Sequence, residues 1–107
     1  MRNKEIEELK NSIVKELSPL SIYLFGSFAK GSQNEDSDFD FYIIVDDNKE
    51  KEVLPLTAKA YKSIRFKQKR PVDIIVNTRS HFDRRKSLPT IEKEVVDTGV
   101  LLYGRWS

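Results

Sequence analysis

Gly26-Ser27-Phe28-Ala29-Lys30-Gly31-Ser32-Gln33-Asn34-Glu35-Asp36-Ser37-Asp38-Phe39-Asp40 is the stretch on which the reading of this 107-residue chain turns. It joins a glycine-rich turn to a pair of carboxylates. Just upstream, Ser21-Ile22-Tyr23-Leu24-Phe25 is a short apolar run stopped by Gly26, the pattern of a buried strand. Just downstream, Phe39 to Val45 is rich in aromatic and β-branched residues and closes in the turn-like Asp46-Asp47-Asn48, a second strand. A strand that ends in Gly-Ser and enters a helical turn points free backbone N–H groups at whatever lies above the strand end, and such groups favour anions. Gly26 lets the backbone approach a phosphate closely. Ser27 has two competing uses, as a donor to a phosphate oxygen or as a helix N-cap. Lys30 is long enough to reach back toward the phosphates, and Gly31 closes the turn.

The carboxylates add chemistry to the turn. Residues two apart in a strand share a face and lie about 6.5–7 Å apart along the chain. Asp38 and Asp40 therefore present their carboxylates on one side, while Phe39 and Phe41 point to the apolar side. Two hard oxygen ligands so placed suit Mg²⁺, shared with substrate phosphates. The plainer alternative is a strand entry carrying solvated acids. Asp73 sits in a third apolar run, Pro71-Val72-Asp73-Ile74-Ile75-Val76. An ionised carboxylate there needs a partner or a place at the strand's exposed end. If the third strand pairs beside the second, Asp38, Asp40 and Asp73 meet at one site, and three carboxylates can hold two metal ions. One ion would clamp a nucleoside triphosphate and the other would lower the pKa of an attacking hydroxyl. A chance match to Gly26, Ser27, Gly31, Ser37, Asp38 and Asp40 together is of the order of 10⁻⁷ per starting position.

Composition bounds the alternatives. The length fits one domain, residues 1–107. Hydrophobic residues make up 38% and charged residues 34%, and no apolar run approaches the roughly 18 residues that span a bilayer. The amino terminus leads into a charged amphipathic segment, unlike a signal-peptide core. There is no cysteine, which excludes disulfides and thiolate metal sites and leaves a cytoplasmic location as the expectation. Net charge is +2, from 19 basic and 17 acidic residues, too balanced to argue nucleic-acid binding. The basic residues are nevertheless uneven: Lys59, Lys62, Arg65, Lys67, Lys69 and Arg70 form a run, and Arg79, Arg84, Arg85 and Lys86 follow. That run reads either as a solvated helix face or as a patch facing a triphosphate or an acidic partner.

The remaining elements follow from periodicity. Ile6, Leu9, Ile13 and Leu17 predict an amphipathic helix over residues 3–17, stopped by Pro19. Val53, Leu56, Ala60 and Ile64 predict a helix over about 50–66, a short helix is expected at 80–85, and Leu88, Ile91 and Val95 mark another that ends near Gly99. Val72 to Val76 and Val100 to Tyr103 read as further strands. Interspersed helices and strands give an α/β or α+β domain with a single sheet. His81, the one histidine, is expected at a surface helix start. Tyr103 and Trp106 are expected in the core or at a partner contact.

The pattern Gly26-Ser27-x₃-Gly31-x₅-Ser37-Asp38-x-Asp40, with Asp73 on a later strand, resembles the polymerase β-like nucleotidyltransferase superfamily. The leading helix and the closing Thr98-Gly99-Val100-Leu101-Leu102-Tyr103 are similar to its minimal nucleotidyltransferase (MNT) members. The resemblance implies a small mixed β-sheet flanked by helices. It implies that Gly26 and Ser27 bind the triphosphate, with Lys30 and Ser37 among the nucleotide-binding positions. It also implies that Asp38 and Asp40 hold two Mg²⁺ ions and that Asp73 completes the site and activates the acceptor hydroxyl. MNT proteins commonly pair with a HEPN-domain RNase toxin as its antitoxin, and some transfer AMP from ATP to a toxin tyrosine. The expectation is therefore a protein adenylyltransferase whose acceptor lies on the partner, since the larger relatives' extra helical domain is not expected here. Two other readings stay open: an antitoxin that works by occlusion, and a transferase acting on RNA ends or small molecules.

Overall fold

The computed structural model describes residues 3–34 and 37–105; Trp106 lies outside the described residues. Helix α1 spans Lys4–Leu17 and begins at Asn3, whose side chain accepts a hydrogen bond from the Ile6 N–H at 3.1 Å. It ends at Ser18 in the left-handed region (φ 47°), with Pro19 next in the chain. Strand β1, Ser21–Phe25, runs into the single helical turn α2, Ser27–Lys30, and strand β2 follows over Phe39–Val45. A 3₁₀ segment at Asp47–Glu52 leads into α3, Val53–Ile64, so the helix expected from about residue 50 starts later. Pro55 falls in the first turn of α3, where its missing N–H costs nothing. Strand β3, Val72–Thr78, outruns the predicted segment by two residues and hands directly to α4, Arg79–Arg85.

One expectation fails locally. Leu88 is not helical and is exposed; α5 begins only at Ile91, capped by Thr90, and runs to Thr98 before β4, Val100–Tyr103. Pro89 disfavours helical backbone in Leu88, which precedes it, so the two cannot share one helix. Ile91 also faces outward, and the inward positions of α5 are Glu92 and Val95.

The four strands form one mixed sheet in the order β3-β2-β1-β4. β1 pairs antiparallel with β2 and with β4, and β2 pairs parallel with β3, with α3 making the crossover. Both faces are covered, as the continuous burial of β2 requires. On one face Phe39, Phe41, Ile43 and Val45 meet Ile6, Leu9, Ile13 and Leu17 of α1 and Leu56, Ala60 and Ile64 of α3. On the other, Tyr23, Phe25, Tyr42 and Ile44 meet Phe82 of α4 and Val95 of α5. The α/β expectation with a small mixed sheet flanked by helices holds. No helix among the described residues is long and apolar enough to cross a membrane.

Candidate active site

The parallel pairing of β2 with β3 brings the distant aspartate home. In register, Phe39 faces Val72, Asp40 faces Asp73 and Phe41 faces Ile74. Asp40 and Asp73 thus stand side by side, about one strand spacing (~4.8 Å) apart, on the face that also carries Tyr42. Asp38 lies just before β2 and not within it, and it is half-buried like Asp40. Asp73 is exposed, at the start of an edge strand. The sequence left two places for it, beside a partner or at the exposed end of a strand; it occupies both.

Above this pair sits the Gly-Ser turn. Phe25 pairs with Asp40 across the antiparallel ladder, so Gly26 follows at the same sheet end. Gly26 has φ 77°, where a Cβ is strained, and a Cβ built on it would collide with Oδ2 of Asp40. The missing side chain is what lets the aspartate lie against the turn. Gly26, and not Ser27, takes the N-cap position of α2; Ser27 is its first helical residue, which leaves its hydroxyl free of the capping role. A helix start leaves its first amide N–H groups without helical partners. Gly31 closes the turn in the left-handed region, as expected.

Ser37 acts on the loop. Its hydroxyl accepts a hydrogen bond from the Asn34 N–H at 2.9 Å, while its own N–H donates to the Asn34 carbonyl at 3.1 Å. That closed turn delivers Asp38. Lys30 does not reach back over the turn; its ammonium lies 3.6 Å from Oε2 of Glu94 on α5. Glu94 is a site neighbour that the sequence did not suggest, since only the docking of α5 brings it near.

Electrostatically the cluster is short of positive charge. Asp40 is raised from its ordinary 3.8 to about 6, first by burial, then by the charges of Asp73 and Asp38, hydrogen bonding with Asp73, and the charge of Glu94. Converging carboxylates that hold one another's protons suit a hard divalent cation. Among the described residues, no three His, Cys, Asp or Glu side chains already enclose a metal ion. Mg²⁺ is ordinarily held by one or two carboxylates together with waters and substrate phosphates, so the oxygen donors present fit it as part of a substrate complex.

Deeper on the same face is a polar network. The Tyr42 hydroxyl donates to Oε2 of Glu92 at 2.7 Å and accepts from Asn77 at 3.2 Å, and Arg85 Nε donates to Oε1 of Glu92 at 3.0 Å. Burial alone would raise Glu92, but the bonds from Tyr42 and Arg85 outweigh it and hold the carboxylate below its usual range. His81 Nε2 lies 3.7 Å from the same carboxylate, so the surface position expected for it is half-buried instead. The basic run is less of a patch than its sequence suggests. Lys67 donates to Ser12 at 2.6 Å, and Arg70 turns inward to Glu5.

The sequence profile of the nucleotidyltransferase domain family matches residues 6–102. No curated protein matches. Among solved structures, a protein from Sulfolobus solfataricus assigned as a nucleotidyltransferase is 26% identical, with a TM-score of 0.66 over 95% of this chain and 79% of that one. A toxin–antitoxin complex with AMP-PNP is 24% identical, with a TM-score of 0.54 over 96% and 75% of the two chains. A variant of the toxin–antitoxin pair MntA–HpeT, with two aspartates two residues apart changed to glutamate, is 22% identical, with a TM-score of 0.52 over 92% and 73%. The last two share the fold.

Proposed function

Since this chain belongs to the nucleotidyltransferase domain family, we propose that it is a Mg²⁺-dependent transferase that passes AMP from ATP to a partner toxin. The acceptor in this reading is a hydroxyl, tyrosine foremost, on a HEPN-domain toxin, and the chain is its antitoxin. The observation that carries the reading is Asp40 set beside Asp73 under the Gly26 turn. A neighbour of this fold that is a toxin–antitoxin complex with AMP-PNP supports the choice of an adenosine triphosphate and of a protein partner.

Each residue has a task that its position allows. Gly26 and Ser27 receive the triphosphate, through amide N–H groups and the uncommitted Ser27 hydroxyl. Asp38, Asp40 and Asp73 would hold up to two Mg²⁺ ions, which when bound neutralise the phosphates and acidify the attacking hydroxyl. Asp73, at the exposed edge, stands where an acceptor hydroxyl can approach, and its carboxylate takes the proton that the hydroxyl gives up. The acceptor oxygen bonds to the α-phosphorus, the bond to the bridging oxygen breaks, and pyrophosphate leaves.

Incubation with labelled ATP, Mg²⁺ and the partner toxin tests this. Label should appear on the toxin and vanish with Asp38→Ala; an unlabelled toxin, or labelling that survives the substitution, sinks the proposal. The Lys30–Glu94 pairing, which holds that lysine away from the turn, favours one second reading, occlusion of the toxin without chemistry. In that case Asp38→Ala with Asp40→Ala still forms the complex and still protects cells.

A further inference from the structure

Arg70 precedes Asp73 by three residues and would be counted with the basic surface, yet its guanidinium lies on the inner side of the sheet. Its carbon stands 4.7 Å from the centre of the Phe39 ring and 5.1 Å from that of Phe28, rings that themselves pack edge to face at 4.6 Å. Nη1 donates to the Ser37 carbonyl at 3.4 Å, and Nη2 lies 3.4 Å from Oε1 of Glu5 on α1. Phe39 is the residue between Asp38 and Asp40, Phe28 follows Ser27, and the Ser37 carbonyl is the peptide that leads into Asp38. Nearby, the Phe39 N–H donates to the Pro71 carbonyl at 3.2 Å. One side chain, from the loop that leads into the strand carrying Asp73, therefore touches the phosphate turn, the aspartate loop and the strand residue between the two aspartates.

A residue kept only to tie α1 down would fork onto Glu5 with two parallel bonds, the favoured geometry for arginine and carboxylate. Here that fork is forgone. Arg70 Nε and Glu5 Oε2 are both buried and have no hydrogen-bond partner among the described residues. Such orphans are rare in folded proteins and call for an explanation beyond the ion pair itself. The guanidinium carbon sits over the two rings instead, a placement that a cation favours near aromatic faces.

We propose that Arg70 is a positioning residue that sets the Gly26–Ser27 turn and the Ser37–Asp38 loop in register with Asp73. This rests on the nucleotidyltransferase reading above. Arg70 touches no substrate in this proposal; it acts through the segments that do. Lysine restores the charge beside Glu5 but not the forked donors that reach Glu5 and Ser37 at once.

The test uses Mn²⁺ as a spectroscopic stand-in for Mg²⁺, titrated into the chain in the presence of a non-hydrolysable ATP analogue, with thermal midpoints measured in parallel. Asp40→Asn serves as the reference for lost binding. Arg70→Ala and Arg70→Lys should each weaken Mn²⁺ binding about 10–100-fold, the usual cost of losing a group that orients metal ligands. Turnover should fall with it, and KM for ATP should rise, since the turn that receives the triphosphate is displaced as well. Arg70→Lys should keep its thermal midpoint, and Glu5→Gln should weaken binding less than either. Leu17→Ala, at the far end of α1 from Glu5, lowers stability without touching Arg70 and should leave Mn²⁺ affinity unchanged. The inference is overturned if Arg70→Lys binds Mn²⁺ as the unsubstituted chain does, or if Leu17→Ala weakens binding to the same degree. If Arg70→Ala does not fold, Arg70→Lys and Glu5→Gln decide the matter. If the unsubstituted chain binds no Mn²⁺, the function reading fails first and Arg70 with it; if it binds and Asp40→Asn does not, only the Arg70 variants are at issue.

Discussion

The two faces of the sheet are built by opposite rules. Under α1 and α3 the layer is mainly aliphatic and aromatic, running from Ile6 to Val76, with its polar groups, Ser12 and the Arg70–Glu5 pair, confined to its margins. Under α4 and α5 the layer is thinner and carries hydroxyls and charges: Tyr23, Tyr42 and Glu92 are all buried, with Asp40 and Asp73 at its open end. β2 belongs to both, alternating Phe39, Phe41 and Ile43 with Asp40, Tyr42 and Ile44. The lesson is a division of labour. The apolar face supplies stability, which lets the other face hold a cluster of like charges that by itself opposes folding.

Substitutions can break or sharpen that contrast. The largest effect is expected at Asp40. Asp40→Asn should reduce AMP transfer about 10³-fold, roughly 4 kcal/mol of transition-state stabilisation. It should do so while making the chain more stable. Asp40 titrates near 6 when folded against 3.8 ordinarily, so folding favours its protonated form. That stabilising share is complete below the ordinary value and is lost as pH rises through about 6. A melting series without Mg²⁺ should therefore show Asp40→Asn above the unsubstituted chain at pH 8 and level with it near pH 4. Transfer by the unsubstituted chain should decline as pH falls below 6. A lower melting point for Asp40→Asn at pH 8 would contradict the division.

Leu9→Ala, in the apolar face, is the opposite case. It should cost about 3 kcal/mol by cavity formation and leave turnover per folded molecule unchanged. Denaturant titration paired with active-site counting would show this; a selective loss of turnover would mean the faces are not separable. Tyr42→Phe tests the polar layer and should cost about 1–2 kcal/mol, since it removes a buried bond from both Glu92 and Asn77. Glu92 is held below its ordinary value, so its stabilising share is present above that value and fades as pH falls through the folded one. The Tyr42→Phe deficit should accordingly shrink in acid. The smallest change is Lys30→Ala. Loss of the exposed pair with Glu94 should move stability by less than about 1 kcal/mol. If Lys30 leaves Glu94 for the triphosphate, KM for ATP rises with kcat unchanged; an unaltered KM would mean that it stays.

Local signals were readable where chain neighbours decide the outcome. β1 and β2 end where Gly26 and the Asp46-Asp47-Asn48 turn put them, β4 covers the expected Val100–Tyr103, and α1 covers the expected segment but for Asn3, which caps it. The aspartates were readable as types and spacing, but their adjacency depended on β3 choosing β2 as its partner, a long-range pairing. What stayed hidden was settled by assembly. Glu92 has the look of a surface residue until Tyr42 and Arg85 converge on it, and Ile91 looks like core until α5 turns it outward. Arg70 was grouped with its basic neighbours because nothing local distinguishes a guanidinium facing water from one lying over Phe28 and Phe39.

The parallel pairing of β2 with β3 also bears on how the molecule comes into being. The turn, Asp38 and Asp40 belong to an antiparallel β1–β2 unit close in the chain, whereas Asp73 arrives only after the whole α3 crossover has closed. Non-local closure is the slow event in folding. A chain leaving the ribosome therefore sets the Gly26 turn beside Asp40, the proposed phosphate side, before it acquires Asp73, the proposed acceptor-side carboxylate. Protection of the nucleotide site during refolding marks the first event, and the onset of transfer marks the docking of β3.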